Sequence, residues 1–263
     1  MHQNIALRPR IRWSAALLGI IMSGMGQIYN GELLKGLCFF VMPLVTLVAG
    51  LRLAVLLPDR YLLAGVVAVI LAALLINLAA AVEAWSRAGK IGSHYFLRPY
   101  NRWYFYLAIW LLLSVAVGSV FHYIKTNIAQ AYRIPSQSME PAVIRGDMLL
   151  ADKTYYTRKP PQVGDVVVFV YPDDRSKIFM KRIAALPGTV ITHPDGRLET
   201  VPHGHVYLLG DNRGKSLDSR IFGFVPLGDV RGKMRQIYFS CGAEGVRWER
   251  IGMTPGNSAA PAE

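Results

Sequence analysis

A serine and a lysine are the two groups in this sequence whose types and surroundings could break a peptide bond. Ser138 lies in the segment PSQSMEP (135–141), and Lys181 lies in the apolar run KIFMKRIAAL (177–186). A serine hydroxyl needs a neighbouring base to take its proton during attack on a carbonyl. Burial in apolar surroundings disfavours the ammonium form of a lysine and lowers its pKa. The pair therefore predicts a serine nucleophile with a lysine base, although either residue alone would be an ordinary turn serine or strand lysine.

Other catalytic and metal-binding arrangements find less support in the residues. His193, His203 and His205 are the only histidines after the last apolar run, and none stands in a motif with an acidic partner. A Ser/His/Asp triad is therefore unsupported. Cys38 and Cys241 are expected neither to pair with each other nor to complete a zinc site. We expect no metal and no cofactor.

The composition is too apolar for an ordinary soluble protein of this length. Of the 263 residues, 52% are hydrophobic and only 17% are charged. The net charge of +12 would suit either nucleic acid or a membrane surface, but the basic residues flank apolar runs, as they do around membrane spans. We therefore expect contact with membrane phospholipid and no nucleic-acid partner. The flanking residues are Arg8, Arg10 and Arg12 before one run, and Arg87, Lys90, Arg98 and Arg102 between two others.

Residues 1–123 are predicted to form an N-terminal α-helical transmembrane block. At about 1.5 Å per residue, the runs 36–57, 61–85 and 104–123 are each long enough to cross a hydrocarbon core of roughly 30 Å. Residues 13–29 could be interfacial, re-entrant or a further span. The loop 86–103 carries four basic residues and no acidic one, which favours the cytoplasmic side. The chain after about Lys125 would then lie on the opposite side of the membrane.

Residues 124–253 are predicted to form a mainly-β domain. Short runs rich in β-branched and aromatic residues, such as DVVVFVY (165–171) and HVYLLG (205–210), alternate with turn signals such as Gly164-Asp165 and Pro187-Gly188. The last ten residues, 254–263, are rich in Pro, Gly, Ala and Ser and are expected to form a disordered tail. The expected fold is a transmembrane helical block followed by a mainly-β catalytic domain.

Over residues 130–240 the sequence resembles the bacterial type I signal peptidases, also called leader peptidases. The resemblance rests on four segments that occur in the family's order: PSQSMEP, GDMLLADK, KRIAALPG and GDNRGKSLDSRIFGFVP. It implies that Ser138 is the nucleophile and Lys181 the general base. It further implies that Ser136 and the backbone N–H of Ser138 form the oxyanion hole, and that Ser216 orients the lysine amine.

The resemblance also assigns supporting residues around this centre, and the sequence departs from the family pattern at two places. Two departures from the family pattern concern the shape of the pocket and of a loop: Ala142-Val143 replaces Thr-Leu after Pro141, and Ala185 and Thr189 replace a Gly-Asp pair. Neither removes a catalytic group. The supporting residues are Asp218, Arg220 and Arg182 as an ion-pair group, and Asp211, Asn212 and Arg213 as a structural turn.

The resemblance implies a substrate class and a location. Family members remove signal peptides from exported preproteins after a small residue in an Ala-x-Ala pattern. Shallow pockets lined by Ile134, Met139, Val143 and Met180 would accept such side chains, and an extended peptide would pair with strand edges near 132–136 and 178–181. The alternative is that these four residues belong to the core. The expected location is the bacterial cytoplasmic (inner) membrane, with the catalytic domain on the periplasmic side.

Three further interpretations stay open at this point. The protein translocation channel is a possible partner in addition to preproteins and phospholipid. A Ser/Lys peptidase could instead serve one dedicated exported substrate, as a conjugation-pilus processor does. A membrane-anchored β-domain that binds peptides without cleaving them is the alternative from outside the enzymes, although the presence of Ser138, Lys181 and Ser216 argues against it.

Overall fold

The chain divides into a helical unit and a β-rich unit. The computed structural model describes residues 9–91, 95, 98–193 and 196–255. The helical unit comprises Met1–Leu56 and Ala64–Tyr123, and the β-rich unit comprises Leu57–Leu63 and Ile124–Glu263.

Three long apolar helices dominate the helical unit and occupy the positions of the three predicted spans. They are α3, α4 and α5, with mean hydropathies of 2.1, 2.8 and 2.0, and each is long and apolar enough to cross a membrane by length and composition. The helices are α1 (Arg12–Ile21), α2 (Met25–Tyr29), α3 (Leu33–Ala54), α4 (Asp59–Lys90) and α5 (Trp103–Asn127).

The apolar run 13–29 is broken into the two short helices α1 and α2. The ten residues of α1 extend over about 15 Å, half the thickness of a hydrocarbon core. Gly24 separates the two helices with a φ of 91°, and a Cβ at this position would lie 2.0 Å from the carbonyl oxygen of Gly36. Neither helix is therefore long enough to span a membrane by itself, which fits the interfacial or re-entrant alternatives.

Polar side chains of α2 and of the turn after it are tied to α4. Gln27 donates to the carbonyl of Ala80 at 2.7 Å, and Asn30 donates to the carbonyl of Ala84 at 2.8 Å. Both side chains are buried, and these bonds satisfy their amide N–H groups and so offset part of the desolvation. Glu83 of α4 accepts from Gln27 at 2.9 Å and forms an ion pair with Lys35.

The β-rich unit is built around one large antiparallel sheet, and this confirms the predicted fold class. Its strands lie in the order β1-β2-β9-β3-β4-β7-β8, with β10 added to β9, while β5 and β6 form a separate pair. A four-residue helix, α6 (Ser219–Phe222), follows β7. The strands are β1 (Ala129–Arg133), β2 (Asp147–Asp152), β3 (Val166–Val170), β4 (Ile178–Ala185), β5 (Val190–Thr192), β6 (Leu198–Thr200), β7 (His205–Leu209), β8 (Val225–Pro226), β9 (Val230–Gly242) and β10 (Gly245–Val246).

The sheet is buried on both faces at its centre, where β3 lies. All five residues of β3 are buried, which explains why its sequence, VVVFV, is a continuous apolar run without polar alternation. On one face Val167, Phe169 and Ile183 belong to one core cluster. On the other face Val168 packs into a second cluster that includes Ile134.

Free backbone edges among the described strands include one stretch of β4 and the outer side of β1. Strand β4 pairs with β7 only from Arg182 onward, so residues 178–181 are paired on the β3 side alone. Strand β1 is the first strand of the sheet and pairs only with β2. An unpaired edge presents N–H and C=O groups that can bind another extended chain.

The predicted disordered tail, 254–263, is described only as far as Pro255. The carbonyl oxygen of Pro255 accepts a hydrogen bond of 2.9 Å from Arg182. Residues 256–263 lie outside the described residues, as does Arg8 near the other terminus.

Phe169 offers a test of where the β-rich unit derives its stability. Its side chain is fully buried and contacts the rings of Phe179 and Phe222. Phe169→Ala should lower the free energy of unfolding by about 3–5 kcal/mol, measured by thermal or denaturant unfolding in detergent. Leu198→Ala, in the exposed strand β6, should change it by less than about 0.5 kcal/mol. Equal losses in the two variants would contradict this description of the core.

Candidate active site

Ser138 and Lys181, 43 residues apart in sequence, are brought into hydrogen-bonding contact. Lys181 Nζ lies 2.9 Å from Ser138 Oγ. Lys181 lies in the part of β4 that is paired only with β3, and Ser138 lies in the turn that follows β1. Both side chains are buried, with exposed fractions of 4% and 7%. Ser136 is exposed, and its Oγ lies 3.3 Å from Ser138 Oγ.

The turn that carries Ser138 is held from two sides. The backbone N–H of Asn212 donates to the carbonyl of Ser138 at 3.2 Å, and Met139 anchors the turn in the core. Gly210 is required where the two segments meet, because a Cβ there would lie 2.5 Å from the Ser138 carbonyl oxygen and 2.1 Å from Ser216 Oγ. In the sequence Gly210 stands out only as the last residue of the run HVYLLG (205–210), since the close approach arises between segments that are distant in sequence.

The surroundings of Lys181 favour its neutral amine. Burial lowers the pKa of Lys181 from 10.5 to about 8, while the negative charges of Asp218 and Asp211 act in the opposite direction. The first effect is larger because the ammonium ion loses its hydration in the protein interior. At slightly alkaline pH a large fraction of Lys181 can therefore accept a proton from Ser138.

The supporting charges form two separate ion pairs, which corrects one part of the sequence prediction. Arg182 was expected in a group with Asp218 and Arg220, but it binds both carboxylate oxygens of Asp211, each at 2.7 Å. Successive strand residues point to opposite faces of a sheet, so Arg182 projects away from Lys181. Asp218 pairs with Arg220 at 2.9 and 3.0 Å.

Asp218 is a buried carboxylate that stays ionised. Burial by itself would raise its pKa, but hydrogen bonds from Arg220 and from the backbone of Gly210 outweigh burial and hold the pKa below its ordinary value. Its side chain also caps α6 by accepting from the N–H of Arg220. Asp218 thus brings a fixed negative charge to the neighbourhood of Lys181.

The segment 211–213 forms a turn, as the resemblance implies. Asn212 accepts a backbone hydrogen bond from Lys215 at 3.1 Å. The carbonyl of Arg213 accepts from Arg220 at 2.6 Å. These bonds lock the turn to the Asp218–Arg220 pair.

Ser216 and the expected oxyanion donors differ in the hydrogen bonds that they form. Ser216 is buried, and its hydroxyl helps Arg220 and Gly210 to lower the pKa of Asp218. The expected bond between Ser216 Oγ and Lys181 is not formed among the described residues. The backbone N–H of Ser138 donates to no other described residue, which leaves it available for a substrate oxygen. The roles of Ser216 and of the oxyanion donors stay predictions.

A cleft of about 320 Å³ opens beside Ser138 and Lys181. Its volume is at the lower end of the range for small-ligand sites. Of the four predicted pocket residues, Ile134 and Met180 line it. The full lining consists of Tyr132, Arg133, Ile134, Pro135, Ser136, Ser138, Val168, Ile178, Phe179, Met180, Lys181, Lys215, Leu217 and Met234.

Met139 and Val143 do not line the cleft, in contrast to the sequence prediction. Their exposed fractions are 1% and 0%, and both belong to the core cluster on the Val168 side of the sheet. A hydrogen bond of 2.9 Å from the N–H of Val143 to the carbonyl of Met139 makes a single turn that brings the two positions onto one side. That side faces the core.

The sequence analysis did not predict several residues that line the cleft, although strand alternation could have identified some of them. Alternation along a strand places Tyr132 on the same face as Ile134, and Ile178 on the same face as Met180. Lys215 and Leu217 come from the loop after β7, where no periodicity applies. Among the described residues, no cluster of His, Cys, Asp and Glu could hold a metal ion.

Comparison with known proteins assigns the family. The model of the family described as "Signal peptidase, peptidase S26" matches residues 106–200 and 197–239, which is just over half of the chain. The chain belongs to this family of signal peptidases. The match confirms the resemblance found in the sequence and makes the chain a peptidase by family.

The relatives of this peptidase include bacterial and mitochondrial proteins. A probable signal peptidase I-1 of Synechocystis sp. is 34% identical over 154 residues, covering 48% of this chain and 76% of the relative. A signal peptidase I of Leptolyngbya laminosa is 32% identical over 140 residues, covering 42% and 68%. A mitochondrial inner membrane protease subunit 1 of Schizosaccharomyces pombe is 36% identical over 125 residues, covering 46% and 80%. Together with the three apolar helices, these relatives indicate a membrane-associated peptidase.

The buried amine should make the stability of this peptidase depend on pH. Between pH about 8 and 10.5 the unfolded lysine holds more protons than the folded one, so the free energy of unfolding rises with pH. Lys181→Met removes this dependence and should be more stable than the natural protein by about 3 kcal/mol below pH 8, a gain that vanishes near pH 10.5. Unfolding curves across this pH range measure it. Ser138→Ala retains the lysine, so its free energy of unfolding should still rise with pH. If Lys181→Met were more stable by the same amount at all pH values, the prediction would be refuted.

Proposed function

We propose that this chain is a signal peptidase I, a membrane-bound serine endopeptidase that removes signal peptides from exported preproteins with a Ser/Lys dyad. Ser138 is the nucleophile and Lys181 is the general base. The observation that carries the proposal is the 2.9 Å contact between Ser138 Oγ and an amine whose pKa burial lowers to about 8.

In the proposed reaction Ser138 Oγ attacks the carbonyl carbon of the scissile bond while its proton passes to Lys181 Nζ. The oxygen that becomes negative accepts hydrogen bonds from the Ser138 N–H and the Ser136 hydroxyl. The intermediate then collapses, and the departing amine takes the proton from Lys181. A water molecule, deprotonated by the now neutral Lys181, attacks the resulting ester. Lys181 then returns the proton to Ser138 Oγ, and the signal peptide is released.

The two buried carboxylates have a role in this cycle. When Lys181 accepts a proton, the negative charges of Asp218 and Asp211 stabilise the new ammonium ion, since both raise the lysine pKa. Ser216 would orient the amine once substrate occupies the cleft, because a hydroxyl that donates to Asp218 can still accept a hydrogen bond from Nζ. Hydrogen bonds of this kind often tighten only in the substrate complex.

The free edges that flank the cleft support an extended peptide as substrate. A chain lying between residues 132–136 and 178–181 can bond to both edges. Alternate side chains of such a peptide point to the same side, so the last residue before the scissile bond and the residue two positions earlier face the same wall. Ile134 and Met180 line this part of the cleft, and we expect the wall around them to accept small side chains, as in an Ala-x-Ala site.

The proposed location is the periplasmic side of the bacterial cytoplasmic membrane. The β-rich unit follows α5 in sequence, so the chain itself would tether the nucleophile to the membrane that holds the preprotein. Tethering of this kind raises the effective concentration without any new contact. The basic residues of the chain would add attraction to anionic phospholipid.

Cleavage of a preprotein with an Ala-x-Ala site tests the dyad. The natural protein in detergent should cleave it, whereas Ser138→Ala and Lys181→Ala should each reduce cleavage by at least about 10³-fold, because each removes a group that forms or breaks a bond. Gel analysis and mass spectrometry of the products locate the cut. Ser176→Ala and Lys177→Ala, both in the β3–β4 turn, serve as matched controls and should retain activity. Undiminished cleavage by Lys181→Ala would eliminate the proposed base.

The pH dependence of cleavage tests the state of the base. Because only the neutral amine accepts a proton, kcat/KM should rise about tenfold per pH unit below pH 8 and level off above it. Initial rates with a fluorogenic peptide, from about pH 6 to about pH 10, measure the profile. A profile that is flat through this range would argue against Lys181 as the base.

A further inference from the structure

The rim of the cleft carries a lysine that the proposed reaction does not use. Lys215 ends the 3₁₀ turn Arg213–Lys215, and its side chain is exposed and lines the same cleft as Ser138 and Lys181. Its Nζ lies 3.2 Å from the side-chain oxygen of Gln137, the residue between Ser136 and Ser138. The cation therefore lies over the backbone beside the nucleophile.

The charge of Lys215 meets no carboxylate at the rim. The described residues that line the cleft include three basic side chains, Arg133, Lys181 and Lys215, and no acidic one. The two acids nearest to Lys215 in sequence, Asp211 and Asp218, are each held by both oxygens in a pair with an arginine. The partner that Lys215 has, Gln137, is neutral and exposed, so a substrate carboxylate can replace it.

The position of Lys215 identifies the part of a substrate that it would meet. Residues before the scissile bond would lie between the stretches 132–136 and 178–181, in the apolar part of the cleft. Lys215 Nζ contacts Gln137, the residue directly before the proposed nucleophile Ser138. In the proposed complex, the chain that follows the scissile bond would continue past Ser138 and Gln137 and so pass Lys215.

We propose that Lys215 is a specificity-determining residue that favours substrates with a carboxylate side chain at the first or second position after the scissile bond and disfavours a basic one there. This inference rests on the proposed function, since it concerns the mature side of the same substrate. An exposed pair of charges changes kcat/KM by roughly two- to fivefold, and salt weakens it.

Two peptides that differ only in Glu or Lys at these two positions test the proposal. The measured quantity is the ratio of their kcat/KM values, Glu over Lys, within each variant, so that a general loss of activity cancels. The ratio should be roughly five in the natural protein, near one in Lys215→Gln, below one in Lys215→Glu and restored in Lys215→Arg. It should approach one at high salt.

Lys159→Glu provides a matched control, because Lys159 is exposed and does not line the cleft. This variant should keep the ratio of the natural protein. An unchanged ratio in Lys215→Glu would overturn the proposal. The proposal would also be overturned if the preference for Glu over Lys appeared only when these residues stood at the second position before the scissile bond.

A binding measurement separates this inference from the proposed function. The same peptides, labelled with a fluorophore, are titrated against Ser138→Ala and against Ser138→Ala combined with Lys215→Glu, and their anisotropy is followed. The first protein should bind the Glu peptide more tightly, and the second should reverse the order. Absence of cleavage by the natural protein would defeat the proposed function, while the order of these affinities would still decide the role of Lys215.

Discussion

The proposed activity depends on one amine that is shielded from water and in contact with one hydroxyl. Lys181 Nζ lies 2.9 Å from Ser138 Oγ, and burial lowers its pKa to about 8. A lysine in water would hold its proton at neutral pH and could not accept another. The large sheet supplies the desolvation, because β4 carries Lys181 into the interior between β3 and the turn that bears Ser138.

Two opposing effects, burial and nearby negative charge, set the pKa of Lys181. Asp218 and Asp211 raise the pKa of Lys181 while burial lowers it further than they raise it. Each carboxylate is neutralised in turn by its own arginine, Arg220 or Arg182. This arrangement leaves enough negative potential to stabilise a transient ammonium ion without fixing a permanent one. Two carboxylates without arginine partners beside Lys181 would keep the lysine protonated, and a protonated lysine cannot act as a base.

The same sheet leaves room for a substrate where its pairing stops. Residues 178–181 of β4 and the outer edge of β1 carry backbone groups without a strand partner, and the cleft beside them ends at the dyad. The point at which β7 ceases to pair with β4 therefore leaves the backbone edge to which, in the proposed function, a substrate would bind. The helical unit contributes a different property, three helices apolar enough to cross a membrane, which agrees with the membrane association of the family.

The sequence by itself determined the fold class, the approximate positions of the long apolar helices and the identity of the two residues that meet in the site. Hydropathy and local segment patterns suffice for these features, because span length and strand alternation are local properties of the chain. Only the tertiary structure decided that Met139 and Val143 face the core, that Arg182 pairs with Asp211, and that Gly210 and Lys215 lie against the nucleophile turn. These outcomes depend on which distant segments come within a few ångströms of one another. Strand register and turn packing set those distances, and neither is encoded in any single local pattern.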